Sequence, residues 1–358
     1  MVTLIWFIVI FGVVVIAHEF GHFLIAKANG IHVVEFSVGM GPNIISRKKG
    51  ETIYSLKLFP IGGACMFEGE DGVVERDEVT HQIKEPGPGS FLKAKVWARI
   101  ATVVAGPLFN LVLAFILSII VANISYIRDP IASAVAEGSG AQAAGLQAGD
   151  RIISLNGERI NLYQEISVYM QLTYQGGDLK VVYERDGQRY TTMLTPQYDE
   201  QYGYYLLGIS NNDFAHPQGI QSLKYAWYEV RYSVKMTYTS LKMLFKGRVS
   251  RKDVAGPVGI AVNVVGATYK ESRQYGWQNV LLNMLNITVM LSVNLGILNL
   301  LPVPALDGGR LVFLLLEVIR GKPVPPEKEG LVHFVGLMFF IVLMIIIFFN
   351  DLVNIFIK

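Results

Sequence analysis

The fold class that the sequence predicts is an α-helical membrane protein with about four transmembrane helices, a small β region and a separate α+β insert. Of the 358 residues, 52% are hydrophobic and only 17% are charged, which is too apolar for an ordinary soluble domain. A helix that crosses a bilayer needs about 20 predominantly apolar residues. Four stretches meet this requirement: Leu4–Ala28, Val96–Ala122, Val280–Leu301 and Leu331–Phe349.

The segments around these spans divide the chain into four predicted regions. Residues 1–127 hold the first two spans and, between them, the Gly-rich segment Gly30–Asp71, whose alternating apolar positions predict short β-strands. Residues 128–212 form a polar domain, residues 213–279 form a linker, and residues 280–358 hold the last two spans. The apolar run Leu311–Ile319 is too short to cross a bilayer, and we expect it to pack against the third span.

The linker contains a second kind of helical pattern. Its segment Gln221–Phe245 is basic and rich in aromatic residues at helical spacing. This pattern predicts an amphipathic helix that lies on the membrane surface. A helix packed within the membrane bundle is the alternative interpretation.

Charge and cysteine content exclude some partners. The net charge of +2 gives no indication of nucleic-acid binding, and Cys65 is the only cysteine, so no intrachain disulfide can form. A lone cysteine is more often a small packed hydrophobic residue than a nucleophile. The N-terminus has neither a basic leading region nor a small-residue cleavage site, so we interpret the first apolar run as a retained span.

Basic residues predict which way each connection faces, because cytosolic connections carry an excess of Lys and Arg. They are frequent between the first two spans, at Lys48, Lys57 and Lys93 among others, and in the last connection, at Arg320 and Lys322. Both connections can be cytosolic only if the N-terminus and the long insert face outward. The far end of the insert is also basic, but long loops are largely exempt from the rule.

The sequence His18-Glu19-Phe20-Gly21-His22 lies at the inner end of the first span. Residues four apart share one face of a helix, so both imidazoles can bind one Zn²⁺ while Glu19 polarises a water. Ionisable residues inside a span are costly and usually functional, and the fourteen residues before His18 are uncharged. The alternative is a histidine pair satisfied by backbone carbonyls or by helix packing.

A third ligand is expected because catalytic zinc has three protein ligands and one open position. Asp307 is the best candidate, in the stretch N-L-L-P-V-P-A-L-D-G-G that ends at Gly309. Its prolines and glycines prevent a regular helix, and irregular backbone at membrane depth is tolerated only where protein or a cavity covers it. His18 lies about 26 Å along a helix of ~1.5 Å per residue, and a third span that runs inward brings Asp307 to a similar depth. In the alternative interpretation, Asp307 only caps the following helix.

These two segments closely resemble the site-2 protease family of intramembrane metalloproteases, and most of all the bacterial branch that cleaves membrane-bound anti-sigma factors. The resemblance covers nearly the whole chain. Its other motifs are G-M-G-P from Gly39, F-P-I-G-G from Phe59, G-P-L-F-N from Gly106, G-P-V-G-I from Gly256 and S-V-N-L-G from Ser292.

The resemblance implies a zinc metalloendopeptidase of a bacterial inner membrane, with its active site toward the cytosol. His18, His22 and Asp307 would be the ligands of Zn²⁺, and Glu19 would be the general base. Asn294 and Asn299 would position the substrate, with Asn299 near the metal. For Asn110 a substrate-binding role and a role in helix–helix contact are both open. The implied partners are the lipid bilayer and single-span membrane proteins, such as anti-sigma factors or signal-peptide remnants.

The polar domain resembles a second, separate family. The segments Ile131–Val135 and Gly138–Ile153, followed by I-S-L-N-G at Ile153, resemble one PDZ domain of the bacterial protease type. The expected fold is therefore completed by a single extracytoplasmic PDZ domain. Such domains bind extended peptide ends or act as size filters, and the sequence leaves both roles open.

Two further alternatives concern the whole chain. A catalytically silent membrane PDZ receptor would tolerate loss of Glu19, and the intact H-E-x-x-H motif argues against it. A metal-ion transporter usually shows broken spans in repeated halves, and no such internal repeat is present. The β segment also has two interpretations: an edge strand that pairs with an unwound substrate, or a small sheet that only caps the cytosolic side.

Overall fold

The computed structural model describes residues 2–69, 87–250 and 254–356. Its helices in chain order are α1 (Val2–Ala28), α2 (Val96–Ile124), α3 (Gly140–Ala143), α4 (Tyr163–Val168), α5 (Ile220–Phe245), α6 (Pro257–Gly259), α7 (Ala267–Ser272), α8 (Trp277–Asn299), α9 (Asp307–Arg320) and α10 (Pro326–Phe356). Within the described residues, α1, α2, α8 and α10 are long and apolar enough to cross a membrane. The predicted helical membrane fold with four spans is therefore confirmed.

The strands belong to small antiparallel sheets. In chain order they are β1 (Val33–Lys49), β2 (Thr52–Phe67), β3 (Ala134–Val135), β4 (Arg151–Leu155), β5 (Glu158–Arg159), β6 (Leu179–Arg185), β7 (Gln188–Leu194), β8 (Gln197–Asp199), β9 (Tyr204–Leu206) and β10 (Ile209–Ser210). The chain forms two compact units. One is Met1–Leu117 with Ser240–Lys358, and the other is Ser118–Thr239.

The unit Ser118–Thr239 has its own core and contains the predicted polar domain. Its sheet has the order β5-β4-β6-β7. Apolar side chains from β4 and β6, among them Ile152, Leu155 and Val181, are fully buried there. An apolar groove of about 300 Å³ lies between α4 and the segment 204–210. The Tyr163 hydroxyl donates a hydrogen bond across this groove to the Ile209 carbonyl at 3.0 Å.

The β region between α1 and α2 is one long hairpin that bends back on itself. Glu35 pairs with Ile53 on one side and with Met66 on the other, so the first part of β1 lies between the two ends of β2. The bends need glycine: Gly39 has φ +86°, and a Cβ there would lie 2.5 Å from the Phe59 carbonyl oxygen. Strands are present where they were predicted, but they are long, with 17 and 16 residues, where short strands were expected. Glu70 and Asp71, the last two residues of the predicted segment, lie outside the described residues.

The predicted short apolar run lies in α9, a helix of 14 residues. A buried ion pair joins α9 to α2, because the guanidinium of Arg99 contacts the carboxylate of Glu317. The Arg99 Nε also donates to the Ala94 carbonyl at 3.2 Å, so the buried guanidinium has two hydrogen-bond acceptors. This pair helps to fix the helix that begins with Asp307.

Candidate metal centre

Three predicted ligands lie together in the membrane unit. His18 and His22 lie one turn apart on α1 and are only 7% and 8% exposed. Their Nε2 atoms are 3.3 Å apart. The Asp307 Oδ2 lies 3.1 Å from His18 Nε2 and 3.4 Å from His22 Nε2. Two nitrogens and one carboxylate oxygen therefore converge on one point.

This geometry fits a tetrahedral zinc ion. Zinc bonded to nitrogen and oxygen at about 2.0–2.1 Å places neighbouring tetrahedral ligand atoms about 3.3 Å apart, close to the three separations observed. Asp307 Oδ2 is also buried, and within the described residues it has no hydrogen-bond partner that would compete with a metal ion. Burial acts to raise the pKa of the Asp307 carboxyl, but the imidazoles outweigh this and hold that pKa well below its usual range. A lowered pKa favours the carboxylate form, which is the form of aspartate that binds zinc.

The start of α9 separates the ligand interpretation of Asp307 from the capping one. Leu306 is the N-cap residue, and Asp307 is the first residue inside the helix. The Asp307 carboxylate points at His18 and His22 instead of bonding back to the helix backbone. The helix start thus carries the side chain to the histidines.

Each histidine is oriented through its other ring nitrogen. His22 Nδ1 donates to the Thr102 carbonyl oxygen on α2 at 2.8 Å, which leaves the Nε2 lone pair facing Asp307. His18 Nδ1 lies 3.3 Å from the amide of Asn110, a residue with no exposed surface. Asn110 Oδ1 is buried and has no hydrogen-bond partner in the described part of the chain. Turning the amide lets Oδ1 accept from His18 Nδ1–H and satisfies both groups.

Glycines allow the helices around the centre to approach closely. A Cβ on Gly21 would lie 2.4 Å from the Ala105 carbonyl oxygen, and one on Gly296 would lie 2.9 Å from the Pro107 carbonyl oxygen. A Cβ on Gly106 would lie 2.2 Å from His22 Nε2. Gly106 therefore leaves the space that the His22 ring occupies.

We expect Gly106→Ala to lower zinc affinity roughly tenfold or more, because overpacking of about 1–3 kcal/mol falls on the ligand ring itself. The measurement is zinc binding of purified protein in competition with a chelator. Gly12→Ala is the matched control, since a Cβ on Gly12 of α1 meets nothing within 4 Å. Both variants replace a helical glycine with alanine, so they share the same gain in helix propensity. Equal zinc affinity in the two variants would therefore show that Gly106 does not shape the site.

The proposed base lies beside the β region. Glu19 is half-buried, and its carboxylate receives a hydrogen bond from the backbone of Cys65 in β2. A Cβ on Gly63 would lie 3.0 Å from Glu19 Cγ, so the strand passes in contact with this side chain. The segment Gly63–Phe67 pairs with β1 along its other side. The end of β2 is thus an edge that runs past the base.

The predicted asparagines occupy different positions. Asn299, at the end of α8, has its amide nitrogen 3.4 Å from His18 Nε2 and so lies at the metal centre. Asn294 is half-buried on the same helix, one to two turns earlier. Asn110 faces His18 from α2, as described above. Thr102 could not be predicted from the sequence, because it contributes a backbone carbonyl and any residue type has one.

Known proteins resemble this chain over most of its length. A model of peptidase family M50 matches residues 6–343. The zinc metalloprotease RasP of Bacillus licheniformis is 32% identical over 99% of both chains. The regulator of sigma-W protease RasP of Bacillus subtilis is 30% identical, again over 99% of both chains. A solved PDZ domain of an SdrC-like protein from Listeria monocytogenes aligns with 24% of this chain and 90% of its own length, at 21% identity and a TM-score of 0.22.

Proposed function

This chain belongs to peptidase family M50, the site-2 protease family of zinc metalloproteases, and we propose that it hydrolyses peptide bonds of single-span substrates within the membrane. One observation carries the proposal: His18, His22 and Asp307 bring three ligand atoms within 3.4 Å of one another. The two histidines belong to a helix of 27 residues that is apolar enough to cross a bilayer.

The proposed chemistry is a metal-assisted hydrolysis. Zinc bound there supplies Lewis-acid polarisation of the attacking water and of the scissile carbonyl. Glu19 takes the proton of the water and returns it to the amine that leaves. Thr102 and Asn110 hold the two imidazoles in the orientation that aims Nε2 at the metal. Asn299 is close enough to the centre to hydrogen-bond a substrate carbonyl.

The edge of β2 supports a way to present the substrate. A helical substrate hides its peptide bonds in its own hydrogen bonds, so it must unwind before it is cut. The freed backbone can then pair with the segment at Gly63–Cys65, which passes beside Glu19. Asn294 would hold a more distant part of the same extended segment.

The substrate class is argued from a relative. A Bacillus subtilis protein that is similar in sequence over 99% of this chain is named as the regulator of sigma-W protease RasP. We therefore expect single-span anti-sigma factors, or signal-peptide remnants, as substrates. Co-expression of the chain with a tagged single-span protein tests this. A shortened product with the wild type, and none with Glu19→Gln, is the expected result, whereas an uncut protein with both would contradict the proposal.

The chain is a multi-pass membrane protein, and we propose the bacterial inner membrane with the insert outside and the centre open to the cytosol. In a Cys65→Ala background, an impermeant thiol reagent should label cysteine in place of Gln188 from outside. Cysteine in place of Lys48 should stay protected until the membrane is opened. Both parent residues are exposed, so accessibility depends on sidedness alone. The reverse labelling pattern would invert the topology.

A further inference from the structure

The loop that carries Asp307 is held in an unusual backbone conformation. Ala305, two residues before Asp307, has φ +71°, although it is not a glycine. The left-handed region is unfavourable for a residue with a Cβ and persists only where the surroundings impose it. Something outside the loop must therefore fix Ala305.

The helix α10 makes the contacts that fix it. The backbone N–H of Ala305 donates a hydrogen bond to His333 Nδ1 at 3.0 Å. Three residues later on the same helix face, a Cβ on Gly336 would lie 2.4 Å from the Pro304 Cβ and 2.9 Å from its carbonyl oxygen. The loop thus rests directly on α10 at Gly336 and is tied to it at His333.

The His333 ring is itself held on three sides. Its centroid lies 5.7 Å from that of Phe313 on α9. Because Nδ1 accepts the amide hydrogen, the proton of the neutral ring is on Nε2. This atom lies 3.9 Å from Glu329 Oε1, one turn earlier on α10, and Arg310 Nε lies at the same distance from that oxygen. The ring therefore has Phe313 on one side and Glu329 near its Nε2 atom.

We propose that His333 is a positioning residue for the metal centre: it holds the Ala305 amide and thereby sets where the Asp307 carboxylate points. The imidazole of His333 fixes the backbone of Ala305, and only two peptide units separate Ala305 from Asp307. The inference rests on the proposed ligand role of Asp307. The fourth span then helps to shape the metal centre, although it contributes no atom to the cluster of His18, His22 and Asp307.

A matched pair of variants separates the hydrogen bond from simple packing. Leucine and asparagine have nearly the same shape, but only asparagine has an acceptor near the position of Nδ1. We expect His333→Leu to lower zinc affinity about 10–100-fold, the usual effect of removing a group that orients a ligand. His333→Asn should retain most of the affinity. Phe334→Leu, at an exposed position of α10, is the control for a substitution in this helix.

The experiment is chelator competition for zinc with the purified full-length chain, and it needs no turnover. Wild-type affinity in His333→Leu would overturn the inference, and so would an equal loss in His333→Leu and His333→Asn, which would reduce the ring to packing. Asp307→Ala is measured in the same series. If Asp307→Ala loses zinc and His333→Leu does not, only the positioning role fails. If neither loses zinc, the ligand assignment itself fails.

Discussion

Glu19→Gln should reduce peptide-bond hydrolysis on the order of 10²–10⁴-fold, the range that a general acid–base group contributes, and should leave zinc bound. Glutamine keeps the shape of the side chain and an oxygen that can accept the hydrogen bond from Cys65, but it cannot take a proton from water. The measurement is turnover of a tagged single-span substrate by purified enzyme, with metal content determined on the same sample.

The control for this substitution is Glu137→Gln, because Glu137 is an exposed carboxylate in the other compact unit. It should show wild-type turnover. Two outcomes would contradict the assignment of Glu19: unchanged turnover in Glu19→Gln, or a loss of turnover that is fully explained by a loss of zinc. The first would exclude Glu19 as the base, and the second would make it a structural part of the centre.

Asp307→Ala should lower zinc affinity by more than about 100-fold, since even residues that only orient a ligand cost 10–100-fold. The variant leaves two histidines and removes the anionic oxygen that lies within 3.4 Å of both. Chelator competition measures the change in zinc affinity directly, without a substrate.

Asp307→Asn distinguishes a ligand from a helix cap. Asparagine is as good a capping residue as aspartate, so a capping role would survive this change. A neutral amide is a poor replacement for a carboxylate ligand, so zinc binding should still fall. Retained zinc affinity in Asp307→Asn would support the cap. The position of Leu306 as the N-cap already favours the ligand.

The sequence predicted those parts of the structure that depend on local pattern. Apolar length predicts the four spans, and helical periodicity alone places His18 and His22 on one face of α1. Asp307 was predicted from the stretch that prolines and glycines interrupt, with the depth of two spans as a check, and the structure brings it to the two histidines. Each of these features can be predicted from the pattern of one segment or from the lengths of two spans.

Features that depend on which helix faces meet, or on how distant strands pair, were not predictable. The interaction of Gly106 with His22 requires knowing which face of α2 meets α1. The role of His333 requires knowing that α10 lies under the loop at Ala305. Alternating apolar residues predicted strands in the β region, but not that Glu35 pairs with both ends of β2. The pattern of a single sequence does not indicate which distant segments pair.

Cleavage inside the membrane can be tested by mapping the bond that is cut. Purified enzyme and a single-span substrate are reconstituted together in lipid vesicles, and the product ends are identified by mass spectrometry. We expect a new end within the apolar segment of the substrate, which appears with wild-type enzyme and zinc and is absent with Glu19→Gln. A zinc-dependent cut confined to the soluble flanks of the substrate would show that cleavage takes place outside the membrane.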